Sequence, residues 1–401
     1  MTSSMSWWWR GAPLKREDEQ VAAAAEPSPF QSVALVVGST GIVGTSLVDI
    51  LPLPDTPGGP WKVYALSRRP LPPWSPPPPS SVTHLHLDLA DPVAVAEALT
   101  PLNDVTHVFY AAWSPRATEA QNREVNSAML RNVLSAVVPS CPAIVHISLQ
   151  TGTKHYMGPP EDFRRTAALD PPYSEDMPRL DWPNFYYDQE DLLFDAVAQC
   201  GDGAAVSWSV HRPNLIFGFS PRSAMNIVCS ICVYAAICRK EGVPLRWPGS
   251  LGTWEGFSSA SDADLIAEQQ IWAAVDPTAK NEAFNCSNGD IYKWRQLWPI
   301  LAECFGLEWV GYEGEENRVK VSEAMAGKEP LWAEIVKENN LVPTQLHEVA
   351  NWWFVDALFS VELEFLDSMN KSKEHGFLGF RNTTKSFKSW IDRMKAYNIV
   401  P

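Results

Sequence analysis

Residues 33–51 read VALVVGSTGIVGTSLVDIL, and this stretch restricts the fold more than any other. VALVV is a short apolar, β-branched run of the kind that forms a buried strand. Gly38, Gly41 and Gly44 follow it as G-x-x-G-x-x-G and lead into an apolar helical pattern at 42–51. Such glycines permit a tight turn and let backbone N–H groups approach a pyrophosphate at a helix N-terminus. A lone glycine triplet also describes a plain turn. Here a strand precedes it, a helix follows, and WKVYAL at 61–66 supplies a second strand, which is the context a dinucleotide-binding loop requires. Gly38, Thr40, Gly41, Ile42 and Gly44 are therefore the expected cofactor contacts of this turn.

Strand and helix patterns alternate beyond it. LPPWSPPPPSS (71–81) reads as a surface loop, because proline suits neither helix nor central strand. VTHLHLDL (82–89), VTHVFYAA (105–112), AIVHISLQ (143–150) and WSVHRPNLIFG (208–218) read as strands. Asp91-Pro92 opens a helix, with Asp as N-cap and Pro at the first position, and NSAMLRNVLSAVV (126–138) is an amphipathic helix. The alternation predicts an α/β fold with a doubly wound parallel sheet of Rossmann type. It ends near residue 219, and the rest is helix-rich with aromatic clusters. The expected division is a flexible arm at 1–30, a nucleotide-binding domain at 31–218, and a smaller, mainly helical substrate lobe at 219–401 that returns one or two strands to the sheet.

The net charge of -15 argues against nucleic acid and anionic membrane as partners. The most apolar run, 226–240, has a core of only twelve residues from Ile227 to Cys238, too short to span a bilayer, and reads as a buried helix. The first twenty residues hold Trp7, Trp8 and Trp9 but no apolar core of a secretory signal. Seven scattered cysteines, with no second pair to match Cys229-x-x-Cys232 at zinc-site spacing, suit a reduced cytoplasmic chain without a metal.

The second strand ends in Ser67-Arg68-Arg69, where a fold selective for NADH places a carboxylate on the ribose. Guanidinium groups pair with a 2′-phosphate, so the expected cofactor is NADPH; two solvated surface arginines are the plain alternative. Asp88 and Leu89, at the end of the third strand, are expected near the adenine; Asp88 reads equally well as a helix-start aspartate. Ala112, which ends the 105–112 strand, and Trp113 just past it complete the expected cofactor set, with Trp113 also facing substrate.

NFYYDQED (184–191) raises the catalytic question. Two tyrosines open a helix where short-chain reductases commonly carry Tyr-x-x-x-Lys, yet Glu190 and Asp191 stand four residues on. A phenol can donate a hydrogen bond to an oxygen that gains charge on hydride transfer, and a nearby cation helps it. The cation has to come from elsewhere along the crevice at the carboxyl ends of the strands. Lys154, just past AIVHISLQ, is the candidate, although a loop lysine is as a rule simply solvated.

SLQTGTKHYMGP, NFYYDQED, HRPNLIFGFSP (211–221), SDADLIAE (261–268), KNEAFNCSNGD (280–290) and LDSMNKSKEHGFLGFRN (366–382) together closely resemble the plant progesterone 5β-reductase/iridoid synthase family, an atypical branch of the short-chain dehydrogenase/reductases. The resemblance runs from MSWWW to Pro401. It implies an extended short-chain fold, a homodimer, and NADPH-dependent 1,4-reduction of an enone or enal, such as a steroid Δ4-3-ketone or 8-oxogeranial. It places Tyr186 as the donor to the enolate oxygen, Lys154 as its supporting cation, and Tyr187 as a packing neighbour. Pro213 and Asn214 are expected near the nicotinamide, Arg212 either there or in a buried ion pair, and His155 in a structural role. The substrate pocket is expected to include Trp113, Met225, Phe354 and Pro160. Family members commonly carry phenylalanine at the last position, so Pro160 implies a wider entrance. Carbonyl 1,2-reduction and a non-catalytic NADP(H)-binding sensor are the alternative functions.

Overall fold

Strand β1 (Ser32–Val37) is buried along its whole length, which explains why its sequence is uniformly apolar rather than alternating. In the computed structural model, which describes residues 29–72, 75–157, 169–200 and 206–401, Val33, Leu35 and Val37 face one hydrophobic cluster and Ala34 and Val36 the opposite one. A strand packed on both faces belongs in the middle of a parallel sheet. β1 pairs in parallel with β2 (Trp61–Ser67) on one side and β4 (His107–Tyr110) on the other. With β3 (Val82–His86), β5 (His146–Gln150), β6 (Ser207–Pro213) and β10 (Glu282–Cys286) it completes a seven-stranded sheet in the order β10-β6-β5-β4-β1-β2-β3. The order reverses between β1 and β4, and in such folds ligands bind at that point, outside the carboxyl ends of the strands.

Helices α1 (Ile42–Ile50) and α7 (Ala263–Val275) pack together over one face. The other face carries α2 (Pro92–Leu99), α3 (Glu119–Ser140) and α4 (Phe185–Ala198). Asp91 caps α2, accepting from the N–H groups of Val93 and Ala94, with Pro92 at its start as expected. α3 begins seven residues before the expected helix at 126–138. Its first two turns are polar and carry little apolar periodicity, and they start at Thr118, whose hydroxyl caps the N–H of Gln121.

The expected strand at 208–218 breaks at Asn214. β6 stays in the main sheet, whereas β7 (Leu215–Phe217) pairs with β9 (Ala260–Asp262) in a separate two-stranded ladder. Pro213 cannot donate to a ladder, and the N–H of Asn214 goes to the Ser261 hydroxyl instead. The first half of the chain does not hold the whole sheet: its edge strand, β10, comes from the second half. A second small ladder joins β8 (Leu245–Arg246) to β11 (Trp309–Val310).

The C-terminal half is built around α5 (Ile227–Glu241), whose residues Ile227 to Cys238 are all buried. Trp247, Trp294, Trp298 and Phe359 pack in the same cluster. Among the described residues no helix is long and apolar enough to cross a membrane. Asp262 ties this half to the sheet: it caps α7 and accepts from Ser386 and Trp390 of the helix Thr383–Ala396.

Candidate active site

The glycine loop sits between three strand ends. The N–H groups of Gly38 and Ser39 both donate to the Leu66 carbonyl at the end of β2. Gly38 has φ of +93°, and a Cβ there would stand 2.8 Å from the Ala112 nitrogen, so only glycine lets the loop lie against the chain leaving β4. A Cβ at Gly44 would overlap the Gly38 carbonyl at 2.1 Å, which fixes the close approach of α1 to the loop. Gly41 is the N-cap of α1 and offers no side chain to its free N–H groups. These features leave a cradle of backbone donors at a helix N-terminus. Thr40 faces the segment after β7, where its carbonyl accepts from Ser220, and Ile42 is buried beneath the loop.

Ser67 closes β2 with its hydroxyl on the Arg69 carbonyl, and Arg68 and Arg69 are exposed. A third arginine joins them from the second half. Arg69 donates to the carbonyl of Arg222, and Arg222 pairs with Glu348. Burial, with the charges of Arg68 and Arg222, lowers the Arg69 guanidinium from its ordinary value. Asp88 is exposed and accepts from the N–H of Ala90, while Leu89 is buried and its carbonyl accepts from Asn132. Trp113 is half-buried, and its indole N–H is buried without a partner among the described residues.

Across the switch point, β5 ends at Gln150 and a single 3-10 turn (Thr153–Tyr156) follows. Lys154 lies on this turn and α4 places Tyr186 beside it: the Lys154 ammonium stands 4.4 Å from the Phe185 ring centre and 5.6 Å from that of Tyr186. Three contacts clasp the two segments. Asn184, the N-cap of α4, donates to the Lys154 carbonyl at 3.1 Å. The Tyr187 hydroxyl donates to the His155 carbonyl at 2.5 Å. His155 Nδ1 lies 3.3 Å from Glu190. Tyr187 is thus occupied in holding the turn, whereas the Tyr186 hydroxyl has no hydrogen-bond partner among the described residues. Burial, then the charge of Glu119, pushes the Tyr186 phenol well above its ordinary value.

Glu190, at the position where a lysine is usual, is a buried anchor. It accepts from Arg212 at 3.2 Å and from Arg179 at 2.9 Å. Burial alone would raise its carboxyl, but His155 and these guanidinium groups outweigh it and hold it at about 2. Arg212 also donates to Tyr156, which donates to Asn285 of β10. Arg212 is therefore the buried ion pair that the sequence left as one of two readings.

Pro213 and Asn214 stand at the end of β6. The Pro213 carbonyl accepts from Thr153, and Asn214 donates to Asp367 at 2.7 Å. Gly152 fits between Pro213 and Tyr186: an added Cβ would meet the Pro213 carbonyl oxygen and the Tyr186 hydroxyl, each at 3.2 Å. Met225 is exposed just ahead of α5, and Phe354 is half-buried against the C-terminal core. Asn351 links the two segments, donating to the Ala224 carbonyl and accepting from the Phe354 N–H. Trp352 packs on that core while Trp353 is exposed, so the pair does not act as one unit. Pro160 lies outside the described residues.

Sequence reasoning misses Glu119, Gly152, Arg222 and Asp367. Glu119 had a usable signal, since Thr118-Glu119-Ala120-Gln121 is a helix-start pattern with an acid in its first turn. Gly152 has extended backbone and offered none. Arg222 and Asp367 reach the site from far along the chain.

A seven-stranded parallel sheet with a glycine loop at its switch point defines an extended short-chain dehydrogenase/reductase fold. Solved structures agree on that fold. The UDP-glucose 4-epimerase of Thermus thermophilus in complex with NAD superposes with a TM-score of 0.60 at 15% identity, over 90% of this chain and 99% of that one. The Bordetella bronchiseptica enzyme WbmH in complex with NAD+ gives 0.59 at 13%, over 92% and 99%. The chain belongs to the PRISE-like Rossmann-fold domain family, whose description matches residues 34–401. It is 57% identical over 400 residues to an (S)-8-oxocitronellyl enol synthase of Nepeta cataria, covering 99% of this chain and all of that protein. It is equally 57% identical over 401 residues to the 3-oxo-Delta(4,5)-steroid 5-beta-reductase of Arabidopsis thaliana, with the same coverage.

Proposed function

We propose that this chain is an NADPH-dependent reductase of activated C=C bonds, adding hydride to the carbon β to the carbonyl of an enone or enal, with Tyr186 stabilising the enolate oxygen. The observation that carries the proposal is the convergence of Lys154 and Tyr186, from segments far apart in the chain, beside Gly152 and Pro213 at the strand ends. Relatives named for a steroid 5-beta-reductase and for an enol product support it, because an enol or enolate is what conjugate hydride addition leaves.

The cofactor would lie across the loop of Gly38, Thr40, Gly41, Ile42 and Gly44, with Asp88 and Leu89 toward the adenine and Ala112, Trp113, Pro213 and Asn214 along its length. The loop that glycine at 38 lets lie against Ala112, with the uncapped N-terminus of α1 behind it, fits such a group. Ser67, Arg68 and Arg69 would receive the 2′-phosphate, which is the reason for preferring NADPH to NADH. When bound, the reduced nicotinamide supplies the hydride. The residues of the chain supply the rest. The Tyr186 hydroxyl, uncommitted among the described residues, donates a hydrogen bond to the carbonyl oxygen and holds it more tightly as negative charge develops there. The Lys154 ammonium lies against the rings of Phe185 and Tyr186. Met225, Phe354 and Trp113 would wall the substrate. A phenol pushed up by burial keeps its proton, which suits stabilising an enolate and disfavours the proton delivery that carbonyl 1,2-reduction requires. The same family likeness leads us to read the protein as a cytoplasmic homodimer.

The test is NADPH oxidation with progesterone, 8-oxogeranial and cyclohexenone, on the wild-type chain and on Tyr186→Phe, with product identification. Saturated carbonyl products, formed about 100-fold or more slowly by the variant, are expected. Allylic alcohols, or NADPH binding with no turnover of any substrate, would refute the proposal.

A further inference from the structure

Lys154 does not face Tyr186 as a bare cation. Its ammonium is paired at 2.6 Å with Glu119, and both side chains are mostly buried, at 14% and 11% exposure. The other oxygen of Glu119 accepts from the backbone N–H of Phe185 at 2.8 Å. One carboxylate, the first residue of α3, therefore holds the lysine and the first turn of α4 that carries the tyrosine.

Among the described residues, the other charged groups near this turn each have partners of their own. Arg123 on α3 is bonded to Asp188 on the next residues of α4, with distances of 2.7 and 2.9 Å. One turn further along α4, Glu190 is matched by Arg212 and Arg179, with His155 against it. Asp367 stands beyond Thr153 and is engaged by Asn214 and Thr153. Among the described residues, the ion pair beside the tyrosine ring is Lys154 with Glu119.

We infer that Glu119 is a positioning residue that neutralises Lys154 and thereby keeps Tyr186 a protonated hydrogen-bond donor instead of letting the lysine turn it into an acid. The inference deepens the reductase proposal and rests on it for its catalytic meaning; the electrostatic part stands on the geometry alone. An unpaired ammonium beside a phenol favours the phenolate, while a neutral ion pair does not. The rise of the Tyr186 phenol attributed in part to Glu119 agrees in direction. The device separates two chemistries that share one tyrosine: an enolate needs a donor that keeps its proton, whereas an alkoxide needs one that gives it up.

The test is the alkaline ultraviolet titration of Tyr186, read as the difference between each chain and the same chain carrying Tyr186→Phe. Glu119→Gln retains an acceptor for Phe185 and removes the charge. It is expected to lower the Tyr186 titration by about 1–3 pH units, and to bring the alkaline fall in enone reduction down with it. Glu119→Asp, which retains the charge, should restore the wild-type profile. If the glutamine variant does not fold, Glu119→Ser removes the same charge and leaves a hydroxyl for the Phe185 N–H. A titration that superimposes on wild type, or moves upward, in the charge-free variant would overturn the inference. A wild-type chain that reduces no enone while the titration shifts as stated would overturn the reductase proposal and leave the electrostatic role of Glu119 standing.

Discussion

Gly152→Ala probes how tightly the site holds its phenol. The backbone at 152 is extended, with φ of 168°, so alanine introduces no strain of its own. Its Cβ would stand 3.2 Å from the Tyr186 hydroxyl and from the Pro213 carbonyl oxygen, where ordinary contact begins at 3.4 Å. One neighbour has to yield by a few tenths of an ångström. The Pro213 carbonyl ends a central strand and is held by Thr153. The tyrosine hydroxyl has no such restraint among the described residues, so it moves. A misplacement of about 1 Å at a reacting centre costs roughly 100-fold. A shift of a few tenths therefore lowers kcat for enone reduction by roughly two- to five-fold, while losing about 1 kcal/mol of stability to overpacking. Steady-state kinetics with cyclohexenone and a thermal melt measure both. KM for NADPH should be unchanged. Gly152→Val, which adds two methyl groups at the same place, should fall to the level of Tyr186→Phe. Wild-type kcat in both variants would refute the placement of the phenol, as would a loss dominated by KM for NADPH.

Other residues give independent tests. Glu190→Gln leaves the Arg212 guanidinium buried without its carboxylate and should cost about 3–5 kcal/mol in urea unfolding. The stabilisation due to Glu190, whose folded value is depressed, is complete above its ordinary 4.5 and disappears as the pH falls through about 2; the gap between wild type and Glu190→Gln should therefore close on acidification. Glu190→Lys, which recreates Tyr-x-x-x-Lys, should fail to rescue Lys154→Met and should destabilise the fold, because a third cation would join Arg212 and Arg179; a rescue would refute the reading of Glu190 as an anchor. Replacing Arg68 and Arg69 by Ala should raise KM for NADPH by about ten- to a hundred-fold and leave NADH nearly unaffected. Equal losses for both cofactors would count against a 2′-phosphate site there.

What could be read from the sequence follows how local the physics is. VALVV, the glycine loop and the 42–51 helix were legible because a buried strand, a tight turn and a helix start each leave a pattern within a few residues. The Asp91-Pro92 helix start was legible for the same reason. The strand at 208–218 was overextended, since its break depends on Ser261 and Asp367, which the local pattern does not contain. The proximity of Lys154 to Tyr186 could be argued from strand ends, but the ion pair with Glu119 could not. Nothing along 119–125 has the apolar period that would have drawn the helix back to the site. Glu190 reads locally as a missing lysine, and only the fold reveals the arginines that require a carboxylate there.

The proposed reaction turns on where hydride goes and which residue receives the resulting charge. NADPH deuterated at the transferring position, turned over with cyclohexenone by wild type and Tyr186→Phe, reads both at once. Deuterium on the β-carbon of a saturated ketone, with the variant slower by about 100-fold or more at unchanged label position, is the predicted result. Deuterium on the carbinol carbon of an allylic alcohol, or a variant as fast as wild type, would contradict it.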